Sequence, residues 1–183
     1  MTHDVNLGIG LSTGMAFHAP KGTALPTYPG EALAEAWQEI GAVSEDGISY
    51  GMNHSMEPLR NWAREIERLL AADGDATIQA PFMDTTKETL ETLFGAENVV
   101  ETAATQTHGK LLSITIGPDT MPDAEAFLFL MKDGDDMIMI GSSNATVTAV
   151  DDISFAPNSA IIWNATISSK SWTIVKDNGQ TTQ

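Results

Sequence analysis

The chain contains no cysteine. A disulfide framework, a thiolate metal site and a cysteine nucleophile are therefore excluded, and the composition agrees with folding in a reducing cytoplasm. Long apolar runs are also missing, since no stretch approaches the ~20 residues that a membrane-spanning helix needs. Residues 1–4 lack the basic-then-apolar layout of a secretion signal. We therefore expect a soluble protein, made in the cytoplasm, with no membrane anchor.

Basic residues are scarce. The 183 residues include nine Lys or Arg against 25 Asp or Glu, which gives a formal net charge of −16. The acids are spread along the chain, with 14 in residues 1–91 and 11 in residues 92–183, so they form no acidic tail. Such a surface repels phosphate backbones and disfavours specific nucleic-acid binding. Taken alone, the charge fits solubility or a salt-adapted host equally well.

The patterns that carry chemistry are absent as well. The four histidines lie far apart, with no pair at metal-ligand spacing. No nucleophile elbow or P-loop occurs. The Asp-Gly-Asp sequences at 73–75 and 133–135 lack the ligand spacing of a calcium loop and are typical of hairpin turns. We predict no catalytic residue, no cofactor and no metal, and an enzyme is the least supported class.

Alternating apolar and polar residues between turn signals predict many short strands. With one helix beside them, these strands predict a mainly β (α+β) fold, a β-sandwich or distorted barrel with one flanking α-helix. The strands are expected at 14–19, 48–50, 76–82, 110–116, 125–131, 136–140, 146–150, 160–167 and 172–175.

The clearest helix is predicted over residues 85–94. It opens with the capping box Thr85–Glu88, carries an apolar stripe, and ends at Gly95. Residues 31–40 place apolar side chains on one helical face, which fits a short helix or a packed irregular loop. Over residues 59–70 the periodicity favours a helix, but the Asp-Gly turn that follows favours a strand. We interpret that segment as a strand.

The domain expectation is a single β-sandwich domain over 14–176. An N-terminal arm (1–13) and a flexible C-terminal tail (177–183) flank it. Within the domain, an extended loop is expected at about 41–62, and this is the most individual segment of the sequence. Its glycines are expected to shape a turn, with Val43 entering the core and a buried Trp62 closing the far end.

Four stretches of the first hundred residues stand out together: 14–27, 37–48, a polar span closing on Trp62, and a strand, Asp84 and helix ending at Gly95. In this order they resemble the major tail tube proteins of long non-contractile-tailed (siphovirus-type) bacteriophages, notably those of actinobacterial hosts. The sequence departs from the family after Trp62, where members often carry glycines. The motif residues with a structural role are Gly14, Pro20, Gly22, Pro26, Gly41, Val43, Ser44, Gly47, Trp62 and Gly95.

The resemblance implies a virion protein that assembles into hexameric rings stacked as a tail tube. It implies contacts with a tape measure protein, a tail terminator and distal tail proteins, and a lumen through which DNA leaves without specific binding. A sixfold ring would carry roughly −96 formal charges, from 6 × −16. The acids predicted to line the lumen or a ring contact are Glu45, Asp46, Asp133, Asp135, Asp136, Asp151 and Asp152.

Two alternatives stay open at this point. One is the equivalent tube subunit of a gene-transfer agent or phage-like particle. The other is a secreted-type β-sandwich module that binds a ligand such as a carbohydrate, which requires a solvent-facing aromatic row and a secretion route.

Overall fold

A computed structural model describes residues 9–10, 16–117 and 120–179. The expected mainly β architecture with one flanking α-helix is confirmed over these residues. In chain order the elements are β1 (Ile9–Gly10), β2 (Ala16–Pro20), β3 (Gln38–Glu39), β4 (Ser49–Arg60), β5 (Ile66–Phe82), α1 (Lys87–Phe94), a 3₁₀ turn (Ala96–Asn98), β6 (Val99–Thr102), β7 (Leu111–Ile114), β8 (Glu125–Asp133), β9 (Asp136–Val150), β10 (Trp163–Ser169) and β11 (Thr173–Asp177).

Nine of these strands form one antiparallel sheet in the order β3-β2-β8-β9-β10-β5-β4, and β6 pairs with β7 separately. The sheet branches at the 15-residue strand β9. Residues 137–141 of β9 pair with β11, whereas residues 145–150 pair with β10. Because one long strand serves two partners on the same side, the sheet divides into two sections that share β9.

The core lies on both faces of β8. Phe127 and Phe129 point into the larger cluster, which includes α1 and the inner faces of β5 and β10. Leu128 points into a smaller cluster with Trp37. This two-sided burial explains why β8 reads as a continuous apolar run rather than an alternating one.

Residues 31–40 form no helix; the helix prediction is wrong and the irregular loop is what occurs. Residues 35–36 make a turn and β3 follows it. Trp37 and Ile40 are nevertheless buried. The backbone N–H of Ile40 donates to the carbonyl of Ala16, so pairing with β2 overrides the local periodicity.

The N-cap of helix α1 lies one residue after Thr85, where the predicted capping box begins. Thr86, not Thr85, is the N-cap, and its hydroxyl accepts from the backbone N–H of Thr89 at 3.2 Å. The Thr85 hydroxyl is engaged elsewhere, accepting from the indole N–H of Trp163. Gly95 ends the helix at φ 87°, as predicted, and its N–H donates to the carbonyl of Glu91.

The cap gives a first testable prediction. Thr86→Ala is expected to lower the free energy of unfolding by about 1 kcal/mol, because the N–H of Thr89 loses its acceptor. Thr86→Ser keeps the hydroxyl and is the matched control, expected within ~0.5 kcal/mol of the unsubstituted protein. Urea unfolding of both variants measures the difference, and equal losses would contradict the capping role.

One of the two hairpin predictions is correct. Gly134, at φ 60°, turns β8 into β9 as expected. Residues 73–75 lie inside the 17-residue strand β5, so a turn there is wrong. The real turn falls at 61–65, where the Asn61 side chain accepts from the N–H of Glu65 at 3.0 Å and Arg64 adopts φ 64°.

The position of this turn also decides the outcome of the predictions for the two neighbouring segments. The strand interpretation of residues 59–70 is confirmed outside the turn, since β4 ends at Arg60 and β5 begins at Ile66. The extended loop expected at about 41–62 is wrong in its second half, because residues 49–60 are β4. Long cross-strand pairing between β4 and β5, invisible to local patterns, decides both outcomes.

Candidate assembly surfaces

Residues 41–44 form a joint with the end of β5, to which they are hydrogen-bonded. The N–H of Ala42 donates to the Asp84 carboxylate at 2.8 Å, and the N–H of Ser44 donates to the carbonyl of Pro81 at 2.8 Å. Val43 is buried and bridges to Phe82, as its predicted core position requires. This joint positions the start of β4.

The motif glycines serve this joint and nearby turns. Gly41 adopts φ 135°, and an added Cβ would lie 2.8 Å from the Asp84 carboxylate. Gly47 turns the chain at φ 70° and donates its N–H to the carbonyl of Ser44. Gly22 takes φ 86° after Pro20, which ends β2. Pro26 is half-buried, and Gly14 lies outside the described residues.

Trp62 is fully exposed. The expectation that it is buried and closes a loop is wrong, because residue 62 stands in the turn between β4 and β5 and contacts no core. A large apolar side chain held in solvent is a candidate contact for another molecule.

Residues 53–75 form a two-stranded ribbon that leaves the sheet. β10 covers β5 only over residues 76–82, so the remaining part of β5 pairs with β4 alone. At ~3.3 Å per residue the ribbon extends roughly 33 Å beyond Ala76. A two-stranded ribbon is marginally stable by itself. Its exposed apolar side chains are Met56, Leu59, Trp62 and Ile66.

All three arginines of the chain lie at the tip of this ribbon. Arg60, Arg64 and Arg68 fall within nine residues of a protein with net charge −16. In the part of the chain that the structure describes, no arginine forms an ion pair with a carboxylate. The acids Glu65 and Glu67 are held instead by the side-chain amide of Asn61.

Below the ribbon, four strands form a wall with two unlike faces. The wall consists of residues 49–52 of β4, residues 76–82 of β5, β10 and residues 145–150 of β9. Ile78, Ile167 and Val147 line its core face. The other face presents Ser, Thr, Asn, Gln and Gly, with the Thr148 and Ser168 hydroxyls 3.1 Å apart. No Lys or Arg occurs in these four strand segments, residues 49–52, 76–82, 145–150 and 163–169.

Both edges of the wall lack a partner strand among the described residues. β4 ends the strand order. On the opposite side, β8 pairs with β9 only as far as Ala145, which leaves residues 146–150 open. β9 runs antiparallel to β10, β10 to β5, and β5 to β4, so the two open edges run in opposite directions.

The predicted acids separate into two groups at opposite ends of β9. Asp46 and Asp151 line one groove of about 230 Å³ at an end of the polar face. Glu45 and Asp152 are exposed beside them in sequence. The second group surrounds the β8–β9 turn, where Asp136 pairs with Lys176 at 3.2 Å. The members of this second group are Asp133, Asp135 and Asp136.

Sequence reasoning missed the ribbon tip and the open edges. The concentration of every arginine in one segment was a usable signal for the tip. The sequence carries no comparable signal for the open edges, because strand order is a property of the whole fold.

Within the described residues, no cluster of three His, Asp or Glu side chains is placed to hold a metal ion. None of the helices in that part of the chain has the length and apolar character to cross a bilayer.

The surfaces thus define a class of protein, a mainly β subunit whose exposed features are strand edges and a projecting ribbon. The chain belongs to the phage tail tube protein family, whose pattern matches residues 1–168. It is a structural protein of the virion tail rather than an enzyme. No curated protein matches the sequence.

Similar solved structures share little sequence with the chain. A chain from the tail of an empty gene transfer agent particle, refined with C6 symmetry, is 10% identical at TM-score 0.45, covering 88% of this chain and 94% of that chain. The tube-terminating cap of the anti-feeding prophage is 11% identical at TM-score 0.46, covering 96% and 97%. A chain of the native gene transfer agent virion is 12% identical at TM-score 0.39, covering 78% and 92%.

Proposed function

We propose that this tail tube subunit closes into rings, sixfold by family resemblance, which stack around a lumen that DNA traverses. The four-stranded wall with two open, oppositely directed edges carries the proposal. Open edges are a liability in a monomer, because their N–H and C=O groups invite pairing with another chain. When the β4 edge of one copy meets the β9 edge of the next, the antiparallel alternation continues without interruption and the ring closes.

Stacking uses the ribbon. Strands in a closed barrel tilt by roughly 35–45° from its axis, so an extension of β4 and β5 projects past the rim of the ring. A projection of roughly 33 Å reaches the neighbouring ring. There the exposed Trp62 and its apolar neighbours are buried against the next ring. The arginines are attracted to its subunits, which carry a strong negative charge.

The polar face of the wall is the lumen surface in this arrangement. Its hydroxyl and amide side chains offer no cation to a phosphate backbone, and Asp46 and Asp151 add negative charge at one end. DNA therefore passes without adhering. The three acids around the β8–β9 turn, at the far end of β9, fit a ring contact better than the lumen. By family resemblance the tube also contacts a tape measure protein, a tail terminator and distal tail proteins.

Electron microscopy of the purified full chain tests assembly directly. At about 0.3 M salt, which screens the repulsion between subunits of charge −16, we expect rings and tubes with a central channel. A strictly monomeric particle at all concentrations contradicts the proposal.

Charge reversal tests the lumen. In phage or gene-transfer particles carrying Asp46→Lys/Asp151→Lys, we expect normal tubes and DNA ejection slowed roughly tenfold or more. Two lumenal carboxylates per subunit become cations, a change of four charge units, and the cations attract phosphate. Glu35→Lys/Glu88→Lys changes the charge equally at exposed positions off the polar face and away from the proposed ring contacts, and is expected to eject at the normal rate. Equal ejection by both variants contradicts the lumen assignment.

A further inference from the structure

An apolar groove lies directly beside the open edge of β9. It measures about 170 Å³ and is lined by Val147 and Val150 of β9, by Leu93 and Phe94 of α1, and by Ile116 and Met121. Ile116 is 56% and Met121 62% exposed. The groove therefore lies on the core side of the wall, at the C-terminal end of α1.

The opposite edge of the wall carries apolar side chains on the same side. Tyr50 and Met52 pair with Ile78 and Ala76, whose side chains face the core. Tyr50 is 42% and Met52 59% exposed, and the Tyr50 hydroxyl contacts the Met52 sulfur at 3.7 Å. Nothing in the described part of the chain covers them beyond β4, because the sheet ends there.

The strand register makes the two edges complementary. Tyr50 lies in one cross-strand row with Ile78, Ile167 and Val147. Continuing that row into a second copy brings Tyr50 next to the other copy's Val147, which lines the groove. The stagger of a closed barrel shifts the row along the strand, and an even shift leaves the side chains on the same face.

We propose that Tyr50 and Met52 of each subunit insert into the α1–β9 groove of a second copy, where they meet Phe94 and Met121. The inference rests on the proposed ring, and it assigns the residues of its lateral contact. The backbone edges supply hydrogen bonds of no particular specificity, whereas the two side chains and the groove select the partner and its orientation.

Engineered cysteines test the contact, because the chain has none of its own. A chain carrying Met52→Cys/Met121→Cys cannot close a disulfide within itself. The two positions lie on opposite edges of a four-strand wall, about 14 Å across, and a disulfide needs Cα atoms within roughly 7 Å. Oxidation of assembled particles is therefore expected to give a ladder of covalent oligomers, up to the full ring.

Met52→Cys/Ile174→Cys is the matched control, since Ile174 is similarly exposed on the strand β11. Tubes that form without a Met52–Met121 ladder, or with an equal ladder in the control, overturn the groove contact and leave the proposed tube intact. If the unsubstituted chain forms no rings, the proposed function itself fails.

Affinity supplies a second readout. Tyr50→Ser/Met52→Ser is expected to raise the protein concentration needed for ring formation about tenfold or more, because the apolar area buried at each contact is lost. Val100→Ser/Leu111→Ser removes comparably exposed apolar side chains from the β6–β7 pair and is expected to assemble normally. Similar shifts in both variants would contradict a specific groove contact.

Discussion

Replacing Arg60, Arg64 and Arg68 together by glutamate is expected to leave rings intact and to abolish their stacking into tubes. The substitution changes the ribbon by six charges per subunit, in a protein whose net charge is already −16. Each reversed charge at an exposed contact is worth up to about 1 kcal/mol at moderate salt, so three together weaken a stacking contact by roughly 100-fold. Electron microscopy of ring and tube populations measures the effect.

Two controls separate charge from misfolding at the ribbon tip. Replacing the three arginines by lysine keeps the charge and is expected to keep most tubes, although lysine lacks the planar guanidinium. Salt should partly restore stacking of the glutamate variant, because screening weakens the repulsion. Arg64 adopts φ 64°, and because arginine, lysine and glutamate are all unbranched at Cβ, we expect the backbone cost at this position to be similar in all three variants. Tubes of normal length from the glutamate variant at low salt would refute the ribbon's role.

Gly41→Ala is expected to cost about 2–4 kcal/mol of unfolding free energy. The backbone at φ 135° lies where non-glycine residues are strained. An added Cβ would also stand 2.8 Å and 2.9 Å from atoms of Asp84 and 3.2 Å from the Thr89 hydroxyl. Relief requires Asp84 to move, and that movement breaks its hydrogen bond to Ala42. Denaturant unfolding, read as a midpoint shift at constant slope, measures the loss.

Gly47→Ala is the control for backbone conformation alone. Gly47 also has a positive φ, at 70°, but an added Cβ meets nothing within 4 Å. Its expected cost is about 1 kcal/mol. A double-mutant cycle with Asp84→Ala isolates the clash, since the cost of Gly41→Ala should fall once the carboxylate is gone. Equal losses at the two glycines would show that the tight approach at Gly41 is unimportant.

The sequence predicted the elements that local chemistry controls. The β8–β9 hairpin follows from Gly134, and the end of α1 follows from Gly95, because each position takes a positive φ that glycine accepts at little cost. The same reasoning placed a hairpin at 73–75 and was wrong. There the pairing of β5 with β4 along its length outweighs the turn preference of Asp-Gly.

Trp62 shows how the candidate site escaped prediction. An isolated tryptophan is usually buried, since its large apolar surface favours the core. Its exposure follows from the length of the β4–β5 ribbon, which carries residue 62 roughly 33 Å past the last strand that could cover it. The acids were also predicted as one set, and β9 separates them into two groups at its ends.

By itself, the sequence determined the class of the protein. The four stretches that resemble tail tube proteins, the absence of cysteine and the net charge of −16 are properties of the amino-acid order and composition, and no fold can alter them. Only the tertiary structure decided which strand edges stay open and which face of the wall is polar. It also decided that Tyr50 and Met52 lie on the same side as the groove of α1 and β9. Those facts depend on strand order and register, which arise from contacts between residues distant in the chain.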